Sequence, residues 1–180
     1  MHEEEKINEA AYFLSKMTAS LDNPKAFRFE LSAFLAAARS VLQYAREEAK
    51  AKPGGQAWYD AHVSGNPEIQ FFTDKRDISI HARPVVPTTN VSIVVTEVIR
   101  MSDSVSIQVL DKEGKVVHES TSSSSPPPPT EPPPPSVSYS YTFPDWAGTE
   151  DVVALCSRYL TLLEGFVNDG LAKGFLKPAA

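Results

Sequence analysis

The sequence predicts an α+β protein that is mainly a helical bundle. A small antiparallel β-sheet of about four short strands and a polyproline segment are inserted before the last helix. Three observations carry this reading. Apolar residues recur at helical spacing through residues 3–83 and again from about Thr149. Between Pro87 and Phe143 the period changes to two, with Val and Ile dominant. Eight of the fifteen prolines fall within residues 122–136, which rules out a sheet interior there.

The first helix spans residues 3–22. Ile7, Ala10, Ala11, Leu14, Met17 and Leu21 form its stripe, and Glu3, Glu4 and Glu5 suit the positive end of the helix dipole. Asn23 is the cap and Pro24 the first-turn residue of the second helix, residues 24–51. Its wide apolar face consists of Phe27, Leu31, Phe34, Leu35, Ala38, Val41, Leu42 and Ala45. Lys52-Pro53-Gly54-Gly55 breaks the chain, and a short helix over 56–62 offers Trp58 and Tyr59 as a core plug. A fourth helix follows over 67–83, capped by Asn66 and anchored by Ile69, Phe71, Phe72 and Ile80.

Strands are expected over 91–99, 105–110, around Val116 and Val117, and over 137–143. Asp111-Lys112-Glu113-Gly114 forms a hairpin turn between the second and third. The alternation of Val105, Ile107 and Val109 with Ser106, Gln108 and Leu110 fits a sheet whose second face is partly buried. Residues 122–136 read as an extended polyproline arm, either a stiff connector or a ligand for a polyproline-binding module. The last helix starts near Thr149, with Glu150 and Asp151 in its first turn, and stops at Asn168-Asp169-Gly170. Its stripe is Val152, Leu155, Cys156, Tyr159, Leu160, Leu163, Phe166 and Val167. The expected division is a helical part, 1–84 with 148–173, and a β insertion, 88–144.

A chain of 180 residues, 42% hydrophobic, can bury a real core. The formal net charge of −6 speaks against wholesale electrostatic binding of nucleic acid, so a polyanion needs a local basic patch. The single cysteine, Cys156, excludes an intramolecular disulfide and a cysteine-based metal site. The acidic start is not a signal peptide, and no apolar run is long enough to span a membrane. The expectation is a cytoplasmic protein without metal or cofactor.

Chemistry concentrates in residues 66–84, at Arg76-Asp77-x-x-x-His81. On a helix Asp77 and His81 stand four apart on one face, so the carboxylate can hold one imidazole nitrogen and leave the other free. Arg76 precedes His81 by five residues, about 140° around the helix. Its long side chain can still bring a permanent charge to the same cleft. Histidine changes charge near neutral pH, and arginine grips a phosphate at two points. That is a residue set for phosphodiester chemistry without a metal; the bland alternative is a surface helix with one Asp–His pair. Three other features rank lower. Arg39 stands at the edge of the second helix's stripe and reads as a snorkelling side chain. Asp60-x-His62 is too sparse for a metal site. Cys156 falls in a buried stripe and reads as core.

The Arg76-to-His81 spacing resembles the R-x4-6-H motif of the HEPN family. So does its position after two long helices, the second bearing Phe27-Arg28-Phe29-Glu30-Leu31, with Trp58-Tyr59 following. The resemblance covers about residues 1–84 and the last helix; the strands and proline arm depart from it. It implies a helical bundle that dimerises, with two motifs facing each other in one cleft. It also implies metal-independent RNA cleavage by Arg76, Asp77 and His81, with RNA bound at that local site. Other members of the family are non-catalytic interaction or dimerisation modules; on that alternative this chain, whose β insertion and proline arm the family does not share, would meet a protein partner through those two elements. Asp77 stands where asparagine is common, and its carboxylate would repel phosphate.

Overall fold

The structure, a computed structural model, describes residues 2–81, 85–95, 104–123 and 133–178; the side chains of residues 76–81 lie outside that description. The chain is α+β: the described residues form five helices, with four short antiparallel strands in two small sheets between the fourth and fifth. The helices are α1 (His2–Ala19), α2 (Pro24–Lys50), α3 (Gly55–Ser64), α4 (Pro67–His81) and α5 (Val152–Ala172). The strands are β1 (Thr88–Val94), β2 (Ser104–Leu110), β3 (Val116–Ser123) and β4 (Ser136–Thr142).

Helix α2 is the centre of the core. All eight residues of its expected stripe are buried, none more than 1% exposed. Its start follows from Asn23, whose side chain accepts the Ala26 N–H at 3.1 Å, with Pro24 in the first turn. α1 packs along it, and α5 packs on both. α1 ends at Ala19, short of the expected residue 22. Tight turns take over there, Ser20 N–H donating to the Met17 carbonyl and Asn23 N–H to that of Ser20. All eight expected α5 stripe residues are buried, Cys156 among them.

Both ends of α5 depart from expectation. Asp151 is the cap rather than a first-turn residue, its carboxylate accepting the Ala154 N–H at 2.9 Å. At the other end the helix runs through Gly170 to Ala172. It stops at Gly174, φ 73°, where Gly174 N–H reaches the Leu171 carbonyl and Phe175 N–H that of Gly170. This paired closure is the Schellman motif. Gly170 is glycine for a different reason: a Cβ there would lie 2.7 Å from both Leu176 and Trp58.

β1 pairs with β4, and β2 with β3. In the second pair Val105 faces Ser122, Ile107 faces Ser120 and Val109 faces His118, with a bulge before Leu110 pairs with Val116. The turn is closed by Asp111 N–H to the Lys115 carbonyl, and Gly114 takes φ 82°. The expected buried face of this hairpin is not there: every residue of β2 and β3 is exposed. Alternation alone signals a pleated strand with two unlike faces, and nothing in it specifies a cover. The strand that does enter the core is β4, through Tyr141, with Phe143 just beyond it. Residues 96–99 of the expected first strand, and 124–132 of the proline arm, lie outside the described residues.

Two compact units result. One comprises Met1–Ser92 with Ser138–Ala180 and holds the helices; the other is Ile93–Val137 and holds the β2–β3 hairpin.

Candidate functional site on the fourth helix

α4 begins where its sequence says it should. The Asn66 side-chain oxygen accepts the N–H groups of Glu68 at 3.0 Å and Ile69 at 3.2 Å, and Pro67 occupies the first turn. Ile69 and Phe72 are buried. The Phe72 ring stacks on that of Tyr159 of α5, 4.3 Å between centroids and 8° from parallel. Phe71 meets Phe143 and Trp146 edge-on, at 5.4 and 4.9 Å.

Two ion-pair groups fasten the helix to the chain around α5. Near its start, Glu68 accepts from Arg158 Nε at 2.6 Å, and Arg158 also donates to Glu150 at 2.8 Å. Glu150 accepts the Trp146 indole N–H at 3.0 Å as well. That bond, then its own backbone N–H, then Arg158, pull the Glu150 carboxyl down to about 2. Further along, Lys75 is nearly buried. Its ammonium lies 2.5 Å from both Asp145 carboxylate oxygens and stands over the Phe71 and Phe143 rings at 5.1 and 5.0 Å. An ammonium over two ring faces beside a carboxylate is well compensated for its lost water.

The helical backbone continues from Lys75 through positions 76, 77 and 81. Positions 77 and 81 are therefore one turn apart on one face, as the spacing requires. Position 76 is seven residues after Ile69, about 20° from the same line along the helix, and Ile69 is part of the buried stripe. The side chains of Arg76, Asp77, Ile80 and His81 lie outside the described residues, and with them the expected Asp77–His81 contact.

Arg39 of α2 is half-buried, as a residue at the stripe's edge should be. Burial pushes the Tyr159 hydroxyl upward, and the Arg39 charge acts against that push, which ties Arg39 to the region where α4 meets α5. Cys156 is fully buried, and burial drives its thiol well above the ordinary range, so it stays protonated and inert.

His62 turns out to be organised, though by a residue the sequence spacing could not offer. Its Nδ1 sits 3.0 Å from the Trp58 carbonyl and its Nε2 3.3 Å from the Asp169 carboxylate. Asp169 also accepts the Trp58 indole N–H at 2.7 Å and the Lys173 ammonium at 2.9 Å, which hold its carboxyl below the usual range. This cluster joins α3 to the end of α5. Local spacing does not reveal the Lys75–Asp145 pair either, since 70 residues separate its partners. Among the described residues no group of three or more His, Cys, Asp or Glu is arranged to hold a metal ion, and no helix is long and apolar enough to cross a membrane. No family model, curated protein or solved structure matches this chain.

Proposed function

We propose that the chain is a HEPN-like, metal-independent endoribonuclease that acts as a homodimer, with Arg76, Asp77 and His81 of two copies sharing one cleft. The observation that supports this reading is the continuity of α4. One uninterrupted helix, fixed by Asn66, Ile69, Phe72 and Lys75, carries positions 77 and 81 one turn apart. Firm anchorage of that kind is what a positioned general base requires.

The chemistry follows from the groups. His81 takes the proton of a ribose 2′-hydroxyl. The alkoxide attacks the adjacent phosphorus, and the P–O5′ bond breaks, leaving a 2′,3′-cyclic phosphate. The departing 5′-oxygen takes a proton from the histidine of the second copy, because one imidazole cannot be base and acid at the same moment. Arg76 offsets the charge that gathers on the phosphoryl oxygens. Asp77 orients His81.

The test is incubation of the purified protein with mixed RNA in EDTA, beside His81→Ala. Fragments ending in cyclic phosphate from the first and none from the second are the expected result. A second reading, a non-catalytic HEPN-like interaction or dimerisation module, is favoured by the β2–β3 hairpin, whose residues are all exposed. A folded wild type that leaves both structured and unstructured RNA intact selects that reading.

A further inference from the structure

We propose that β2 is a self-pairing edge, and that two copies of the chain join there, β2 against β2, into a four-stranded antiparallel sheet. A two-stranded hairpin is marginal in water, and three or more strands with an apolar face are needed for stability. Among the described residues the β2–β3 sheet has two strands. Its apolar stripe is one strand wide: Val105, Ile107 and Val109 face Ser122, Ser120 and His118 across the ladder. These three residues are between 47% and 59% exposed.

The sequence of β2 says what would widen the stripe. In Ser104-Val105-Ser106-Ile107-Gln108-Val109-Leu110 the apolar face, Val105-Ile107-Val109, is symmetric about Ile107. A two-fold contact requires that if residue i meets j, then j meets i. Antiparallel pairing about a two-fold axis at Ile107 sets Ile107 against Ile107 and Val105 against Val109 of the second copy, all on one face. Cross-strand pairs of β-branched residues are the unit of sheet stabilisation. On the other face Ser106 meets Gln108 and Ser104 meets Leu110. No charge opposes another, because β2 carries none.

Natural edge strands are blocked by Lys, Pro, inward charges or bulges. β2 has no charged residue and no proline, and the extra residue of the bulge, Val117, belongs to β3. The outer edge of β3 is a poor rival: it carries Glu119 and only Ser and Thr from residue 120 to 123. The absence of charge and the symmetric Val105-Ile107-Val109 face therefore favour a second copy at β2. This inference does not rest on the α4 chemistry.

The experiment uses the full chain with Ile107→Cys. Cys156 is buried, so the new thiol is the accessible one. Facing residues on neighbouring antiparallel strands are close enough for a disulfide. Mild oxidation should give a linked dimer at twice the 19.7 kDa chain mass. Ser120→Cys, exposed on the same face but on β3, should stay unlinked. Val105→Cys mixed with Val109→Cys should link as well, and adding Ile107→Lys to both, which sets two ammonium groups against each other at the axis, should cut the linked fraction at least tenfold with helical circular dichroism unchanged. An unlinked Ile107→Cys protein overturns the pairing, as does Val105→Cys/Val109→Cys linkage that Ile107→Lys leaves undiminished. A wild-type monomer that captures only foreign strands overturns it too. If RNA is cut while Ile107→Cys stays unlinked, the pairing fails and the α4 reading stands.

Discussion

The ring of Tyr141 lies flat on that of Phe27, 3.6 Å between centroids and 10° from parallel, and its hydroxyl donates to the Leu21 carbonyl at 2.7 Å. Phe27 opens α2 and Leu21 stands in the turn before it, so one β4 side chain holds the α1–α2 corner closed. Removing the hydroxyl alone, Tyr141→Phe, should cost about 1 kcal/mol of unfolding free energy. Tyr141→Ala should cost roughly 3–5 kcal/mol, the usual loss for a buried aromatic ring. Denaturant titration of the three proteins measures both. Equal losses would mean that the stacked ring contributes nothing beyond its hydroxyl.

Lys75 and Asp145 should behave unequally. The lysine is nearly buried and the aspartate is half exposed. Asp145→Ala leaves a desolvated ammonium with only ring faces beside it and should cost roughly 1–3 kcal/mol. Lys75→Met keeps the apolar stem among Phe71 and Phe143 and removes the charge, so it should cost less. The double variant should be more stable than the two losses added together, because the second change removes the stranded group created by the first. Additive losses in a double-mutant cycle would show that the pair is not coupled.

Much of the helical framework is legible in the sequence, and the reasons are local. Asn23 and Asn66 are short acceptors before a proline, and each caps the helix it precedes. The α2 and α5 stripes repeat at 3.6 residues with few interruptions, so every stripe residue read from the sequence is buried; Ala37, Ala49 and Gly170 are buried beyond those stripes. What is not legible depends on partners far along the chain. Asn168-Asp169-Gly170 has the composition of a helix stop, yet Gly170 is there because Trp58 and Leu176 leave no room for a Cβ. Asp60 is near His62 in sequence, but the carboxylate that reaches the ring is Asp169. For the strands, period two identifies the elements and leaves open which are covered. β4 is covered through Tyr141 and Phe143, and β2 is not.

The two glycines of α5 give a paired test of that point. Gly165→Ala meets nothing within 4 Å, so it should stabilise the protein by roughly 0.5–1 kcal/mol through helix propensity. Gly170→Ala drives its Cβ into Trp58 and Leu176 and should destabilise by roughly 1–3 kcal/mol. Thermal melts of the two variants should move in opposite directions. A Gly170→Ala protein that melts above wild type would mean that this end of α5 moves freely away from α3.

Glu3 should make stability depend on pH in the direction opposite to an ordinary surface carboxylate. It is buried at the start of α1, and burial, opposed by its own backbone N–H and reinforced by Glu48, raises its pKa above the usual value. A raised folded-state value means that the fold prefers the protonated acid. The group therefore destabilises the fold at neutral pH, and that penalty fades as pH falls through the raised pKa. Glu3→Gln should melt higher than wild type at pH 7, with the gap closing towards pH 4. A gap that is constant with pH would show that Glu3 is not the group responsible.

The α4 chemistry makes the sharpest demand, because its three residues should fail in different ways. His81→Ala removes the proposed base and should lower the rate by about 10²–10⁴-fold. Arg76→Lys keeps the charge and loses the planar two-point grip, so it should remain impaired by about 10²-fold. Asp77→Asn should do the least harm and can raise the rate, since it removes a negative charge near the phosphate while an amide still contacts the imidazole. Titrating His81→Ala protein into wild type should lower the rate more than dilution does if the cleft is shared, because each mixed dimer keeps one histidine where base and acid need two. Position 76 continues the line of buried Ile69, so folding of the Arg76 variant is checked by circular dichroism before its rate is read. EDTA should leave every rate unchanged. Cleavage that persists in well-folded His81→Ala would refute the assignment of the base.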